Sequence, residues 1–238
     1  MKTKPGAAVM SLILAIVATA LWVTPVTAAG DKAPRIAPPN SHAFGKTLTE
    51  WMGTYWRWFY TGADSAESMV GNVKLLPLPA SVCNGAGTPN DPAVCVGQLA
   101  ITLRPGTPFV LPLAVWTVER YVGYPTIPDD PAIPDGAFLE GVTPSLFIDG
   151  REIVSDLNKA AYYIPSTEFN PIVVYPTPTS YGSVAALAYQ GYAIVSPPLS
   201  VGTHVIKLYE PYILESPESP VSLGVIYDNT WIVTVTPH

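Results

Sequence analysis

The chain has 238 residues, of which 48% are hydrophobic, 13% are charged and 27 are proline. That much apolar surface with so little charge excludes a disordered polymer, and so many prolines exclude long helices and favour many short elements. Eighteen acidic residues against 12 basic ones, a net charge of −6, argue against nucleic acid and anionic lipid as partners, because both need a basic footprint.

Lys2 and Lys4 precede an apolar run from Val9 to Val23, interrupted by Ser11 and Thr19. Thr27-Ala28-Ala29 then supplies small residues at the spacing a signal peptidase accepts. The run is shorter than the roughly 20 residues that span a bilayer. A cleaved signal peptide over 1–29 is therefore expected, with an uncleaved anchor as the alternative. The expected product is secreted or periplasmic and has no membrane span after cleavage. Loss of Lys2 and Lys4 takes its net charge to about −8 and leaves about 209 residues, room for one large β-rich domain or two small ones. Residues 30–44, rich in proline and alanine, read as a flexible leader.

The next segment predicts a helix. Thr47-Leu48-Thr49-Glu50 fits a capping box, with Thr47 as N-cap and Glu50 reaching back to it. Leu48, Trp51, Met52, Tyr55, Trp58 and Phe59 recur at helical spacing, and Gly62 is placed to end the element. Trp56 and Arg57 fall toward the other side. Cys83 and Cys95 flank a Gly/Pro/Asn-rich segment, and in an exported chain they read as a disulfide stapling a surface loop. Zinc would need two further ligands, and no histidine stands near them in the sequence.

Strand patterns then dominate. Val70 to Leu78 and Gln98 to Leu103 precede a turn at Arg104-Pro105-Gly106-Thr107, and Phe109 to Tyr121 predicts a long strand bent at Pro112. Tyr124 to Val142 is the longest loop candidate. Ser145 to Ile148 and Glu152 to Val154 flank Asp149-Gly150, a hairpin signal. Ala160 to Ile164, Ile172 to Tyr175, Ala185 to Val195 and His204 to Tyr209 follow. Val221 to Tyr227 and Thr230 to Thr236 read as a final hairpin through Asp228-Asn229. The sum is an all-β chain of nine or ten strands. We expect a two-sheet sandwich or jelly roll with one N-terminal amphipathic helix, in a single domain over 45–238.

Four stretches carry a resemblance. Trp51 with Tyr55-Trp56-Arg57-Trp58, Cys95-Val96-Gly97-Gln98, Arg104 to Pro112, and Gln190-Gly191-Tyr192 with Pro198 to Ile206 occur in the order seen in a family of secreted bacterial proteins. The chain resembles that β-sandwich family with its Trp-rich N-terminal helix. Tyr55 stands where the family pattern has tryptophan, and Gln190 where it has aspartate. The resemblance implies the fold and export, and no activity.

Candidate chemistry is sparse. His204 could act as a general base or metal ligand, or cap a strand edge by a hydrogen bond. Glu119, interrupting an apolar strand beside Arg120, could be an acid or base in a cleft, or point to solvent. A hydrolase using His204 with Glu119 is one expectation. Asp129, Asp130 and Asp135 in the acidic loop could hold calcium, although their spacing is not that of an EF-hand. The chain has no Gly-x-Ser-x-Gly elbow and no phosphate-binding glycine loop. Among the aromatics, Trp56, Tyr121, Tyr124, Tyr175, Tyr181 and Tyr189 are the expected exposed ones. Trp56, Arg57, Tyr121 and Tyr124 are the candidate ligand-binding group, suited to stacking on a glycan or meeting a protein partner. A non-catalytic exported module or envelope component is the leading expectation; the hydrolase and a calcium-stabilised structural protein are the others.

Overall fold

The computed structural model of the chain describes residues 36–62, 68–215 and 217–237. The expected signal peptide, the first part of the leader and His238 lie outside the described residues. A single 3-10 turn at Ala43–Gly45 leads into helix α1, Leu48–Tyr60. Then come β1 Met69–Val70, β2 Val73–Leu75, β3 Ser81–Asn84, β4 Ala93–Leu103 and β5 Phe109–Tyr121. A short helix α2, Asp135–Gly141, precedes β6 Ser145–Ile148 and β7 Arg151–Val154. The chain closes with β8 Tyr163–Val174, β9 Ser183–Ser196, β10 Gly202–Leu214 and β11 Leu223–Val235.

These eleven strands form the expected all-β sandwich. One sheet has the order β1-β2-β5-β9-β8 and the other β3-β4-β11-β10-β6-β7. Each contains one parallel pair, β2 with β5 and β4 with β11. Phe109, Leu111, Leu113, Tyr192, Ile194, Ile206, Leu208, Trp231 and Val233 fill the space between the sheets. A second core lies on the outer face of the first sheet, where α1 lays Trp51, Met52, Tyr55 and Trp56 against Val110, Phe169, Tyr189 and Val195.

The capping box of α1 is formed in both directions. Glu50 N–H donates to Thr47 Oγ1 at 3.2 Å, and Thr47 N–H donates to Glu50 Oε2 at 2.7 Å. Gly62, at φ +68°, takes the left-handed conformation that ends the helix. The asymmetry of its faces differs from the expectation. Trp56 is buried, 4% exposed, because it continues the stripe of Leu48 and Met52 one turn on, and its Nε1 donates to Met52 Sδ at 3.2 Å. Phe59, which shares the helical spacing of Trp51 and Tyr55 in the sequence, is exposed on the last turn.

Several strands are longer than their local signals. The expected turn at Asp228-Asn229 is absent: β11 runs straight through it, paired along its length with β10 and β4. Neighbours on both sides satisfy its backbone, and no glycine at this dipeptide supplies the left-handed turn. The two segments around Ile164 and Ile172 join as one edge strand, β8, whose register breaks fall at Ile164/Thr167 and Glu168/Val173. Pro165 and Pro171 sit in those breaks, where an edge tolerates a missing donor. β10 likewise passes through Pro211. The Pro211 carbonyl accepts from Thr143 N–H on the side where β6 has ended, its last pair being Ser145 with Tyr209, so the proline nitrogen meets no strand.

Other expectations hold in place. Asp149 and Gly150 both have positive φ, 53° and 77°, in the tight β6–β7 turn. The bend at Pro112 is a β-bulge between Pro112 and Ala114. There β9 comes so close that a Cβ on Gly191 would collide with the Ala114 carbonyl. The described end of the leader is docked rather than free: Ala37 N–H donates to Val195 O at 2.9 Å and Ile36 packs on the core.

Candidate functional site

β2 pairs with β5 only at Phe109 and Val110. Beyond them, one side of β5 has no strand partner among the described residues. Here a cavity of about 290 Å³ lies between the sheets. Pro112, Leu113, Ala114, Val115 and Trp116 of β5 form one wall, and Leu208, Glu210 and Tyr212 of β10 with Leu223, Val225, Tyr227 and Asn229 of β11 form the other. The crossing segment Leu78, Pro79 and Ser81 joins them, and Trp56 reaches it from α1. Two indole or phenol bonds hold the crossing segment in place: Trp231 Nε1 donates to Pro77 O at 2.8 Å and Tyr55 OH to Leu76 O at 2.7 Å.

The lining is apolar apart from a few groups. Ser81 Oγ donates to Asn229 Oδ1 at 3.0 Å and so is satisfied. Glu210 is different. It is 5% exposed, and no described residue gives its carboxyl a hydrogen bond or ion pair. Burial pushes its pKa well above the ordinary carboxylate value, with no partner to oppose the shift. The neighbouring Tyr212 hydroxyl is also buried and unpaired, and its pKa is raised by burial first and by Glu210 second. With these polar groups in an apolar lining, the cavity is the candidate small-ligand site.

The sequence reading missed Glu210. In His204, Ile206, Leu208, Glu210, Tyr212 and Leu214 the strict alternation of β10 places it on the inward face. The strand expected from the sequence, His204 to Tyr209, stops one residue short of it, whereas β10 runs to Leu214.

Of the predicted residues, five gather at the far end of β5. Glu119, 8% exposed, accepts a hydrogen bond from Tyr175 OH. Burial and that bond both raise the Tyr175 pKa. Tyr175 stacks on Tyr60 at 4.9 Å, and Tyr60 shares a 2.7 Å hydrogen bond with Thr117. The acidic loop folds over this end. Asp130 accepts from Tyr121 OH at 2.9 Å and from Glu119 N–H at 3.2 Å, and Arg120 grips Asp129 with two bonds of 2.8 and 3.0 Å. The Arg120 guanidinium also lies 4.3 Å from the Tyr124 ring. Each carboxylate is therefore occupied by the protein itself.

That arrangement corrects three expectations. Asp135 stands apart, accepting from Tyr163 OH at 2.6 Å, so Asp129, Asp130 and Asp135 do not converge as calcium ligands. Among the described residues, no three His, Cys, Asp or Glu side chains gather to hold a metal ion. Tyr175 and Tyr189 are buried rather than exposed, Tyr189 with its pKa pushed up to about 12 by burial. Arg57 does not reach the cavity: it donates to Pro171 O at 2.9 Å and lies over Phe169.

His204 and Glu119 do not share a site. Phe109 pairs with Ser196, and a short turn carries the chain from there to His204. Glu119 lies at the other end of β5, roughly 30 Å along the strand. His204 is instead a clamp on the β6–β7 turn. Its Nδ1 meets Asp149 Oδ2 at 2.7 Å and its Nε2 meets the Ser200 carbonyl at 2.9 Å, while Asp149 Oδ1 accepts from Val205 N–H at 2.9 Å. Ser200 Oγ is 3.4 Å from Nε2. Both ring nitrogens thus lie against oxygen atoms of the protein itself.

Cys83 and Cys95 form the expected disulfide, bridging directly paired positions of β3 and β4. Among the described residues, no helix is long and apolar enough to cross a membrane. No protein-family model matches this chain, and no curated protein matches it significantly.

Proposed function

We propose that this protein is an exported, non-catalytic binding module that holds a small apolar ligand between its sheets. The observation that carries this reading is the cavity of about 290 Å³, with the Tyr212 hydroxyl buried and unpaired in its wall beside Glu210. Export is supported by the N-terminal sequence pattern and by the disulfide, a bond that persists in oxidising compartments. The resemblance to secreted β-sandwich proteins agrees with it. Trp56 and Pro112 from two of the resembling stretches line the cavity, and Gly97 and Gly191 from the other two lie directly behind Ser81, Asn229 and Ala114 in its walls.

The test is thermal unfolding of the purified protein with 2-phenylethanol, a small apolar probe with one hydroxyl. Binding raises the melting temperature with probe concentration. Val225→Phe, which fills the cavity, should remove the rise. An unchanged melting temperature in the wild type ends this reading.

A second reading has its own observation. Tyr124 and Tyr181 are 52% and 63% exposed at the Glu119 end, next to the Arg120–Asp129 pair. That surface suits a glycan or protein partner. Tyr124→Ala and Tyr181→Ala would weaken such binding and leave the 2-phenylethanol response intact.

A further inference from the structure

We infer that the ligand of the inter-sheet cavity is a small lipophilic amine, its ammonium on the Glu210 carboxylate and its hydrocarbon body against Leu113, Ala114 and Val225. This rests on the cavity being a binding site and names the chemistry that site selects.

No Lys, Arg or His lines the cavity, so among the described residues nothing in its wall neutralises an ionised Glu210. A buried carboxylate without a counter-ion is strongly disfavoured, and a bound cation is the partner that makes its ionised form stable. A fatty acid or other anion would set a second negative charge beside Glu210. A neutral alcohol would meet only uncharged hydrogen bonds, whereas an ammonium–carboxylate bond is charge-assisted and roughly twice as strong.

The surroundings agree with a cation. Trp116, Tyr212 and Tyr227 line the cavity, and aromatic faces attract ammonium groups. The whole chain carries net charge −6, a field that draws cations toward it. Size sets the body of the ligand. The cavity is roughly twice the ~150 Å³ that accommodates benzene, which leaves space for one ring and a short arm. Tyr212 on β10 and Tyr227 on β11 are the other titratable groups facing Glu210; none of the lining residues of β5 titrates. Binding of the ammonium form thus displaces the carboxyl proton to solvent.

The experiment compares 2-phenylethylamine with 2-phenylethanol by calorimetry near neutral pH. The wild type should bind the amine at least tenfold more tightly, and Glu210→Gln should abolish that preference. A ¹³C spectrum of the Glu210 carboxyl provides a readout independent of the variant: the amine should move it to the ionised position and the alcohol should not. Equal affinities in the wild type, or an amine preference that survives Glu210→Gln, overturns the inference and leaves the apolar-site reading standing. Failure of both probes to bind overturns the two together.

Discussion

Ser81 and Asn229, on strands separated in the second sheet by β4, bond to each other directly over Gly97. A Cβ on Gly97 would stand 2.6 Å from Ser81 Oγ and 2.7 Å from Asn229 Oδ1. The glycine of the Cys95-Val96-Gly97-Gln98 stretch is thus a gap in β4 through which two neighbours close one wall of the cavity.

Gly97→Ala should destabilise the protein by about 1–3 kcal/mol, the usual cost of overpacking. Gly136→Ala is the control. It adds a methyl into open space within α2, and should be neutral or stabilising by up to about 1 kcal/mol. Urea unfolding of both variants checks the contrast; equal effects would remove the close-approach explanation.

Stability should carry the mark of Glu210. Folding keeps its proton at pH values where the unfolded carboxyl, with an ordinary value of 4.5, has lost it. The folded chain then binds more protons than the unfolded one, so this group's contribution is fully present below pH 4.5. It is lost as pH rises toward the raised folded value, with a slope of at most about 1.4 kcal/mol per pH unit. Glu210→Gln should flatten that part of the profile. Wild type and variant with parallel profiles from pH 4.5 to 8 would show that the carboxyl is not held neutral.

The His204 clamp predicts a structural loss. Asp149→Ala removes the acceptor of both His204 Nδ1 and Val205 N–H, and should cost about 1–3 kcal/mol in denaturant unfolding. It should leave 2-phenylethanol binding unchanged, because neither residue lines the cavity. A loss of binding without a loss of stability would move this cluster from clamp to site.

The disulfide closes a short loop between positions 12 apart. Replacing both cysteines by serine should destabilise by about 3 kcal/mol in the chain-entropy model. Thiol reagents should label neither cysteine in the native protein without reductant. Labelling of both would mean the bond is absent in the isolated protein.

The features legible in the sequence are those whose causes lie within a few residues. Thr47 and Glu50 cap α1 across one turn, Asp149-Gly150 turns a hairpin because both residues accept positive φ, and Cys83 meets Cys95 across a short loop. Phe109–Tyr121 has the expected bounds because its apolar run needs no neighbour to identify it. What only the tertiary structure decided depends on residues far apart in the chain. β11 passes through Asp228-Asn229 because β4 and β10 flank it, and β10 passes through Pro211 because β6 has already ended. Those two extensions place Glu210 inward. Trp56, Pro79, Ala114 and Val225 then enclose the space around it, and no local pattern records that four distant segments leave a gap there. His204 and Glu119, the two groups whose chemistry stood out in the sequence, are separated by the length of β5, since residue type alone carries no distance.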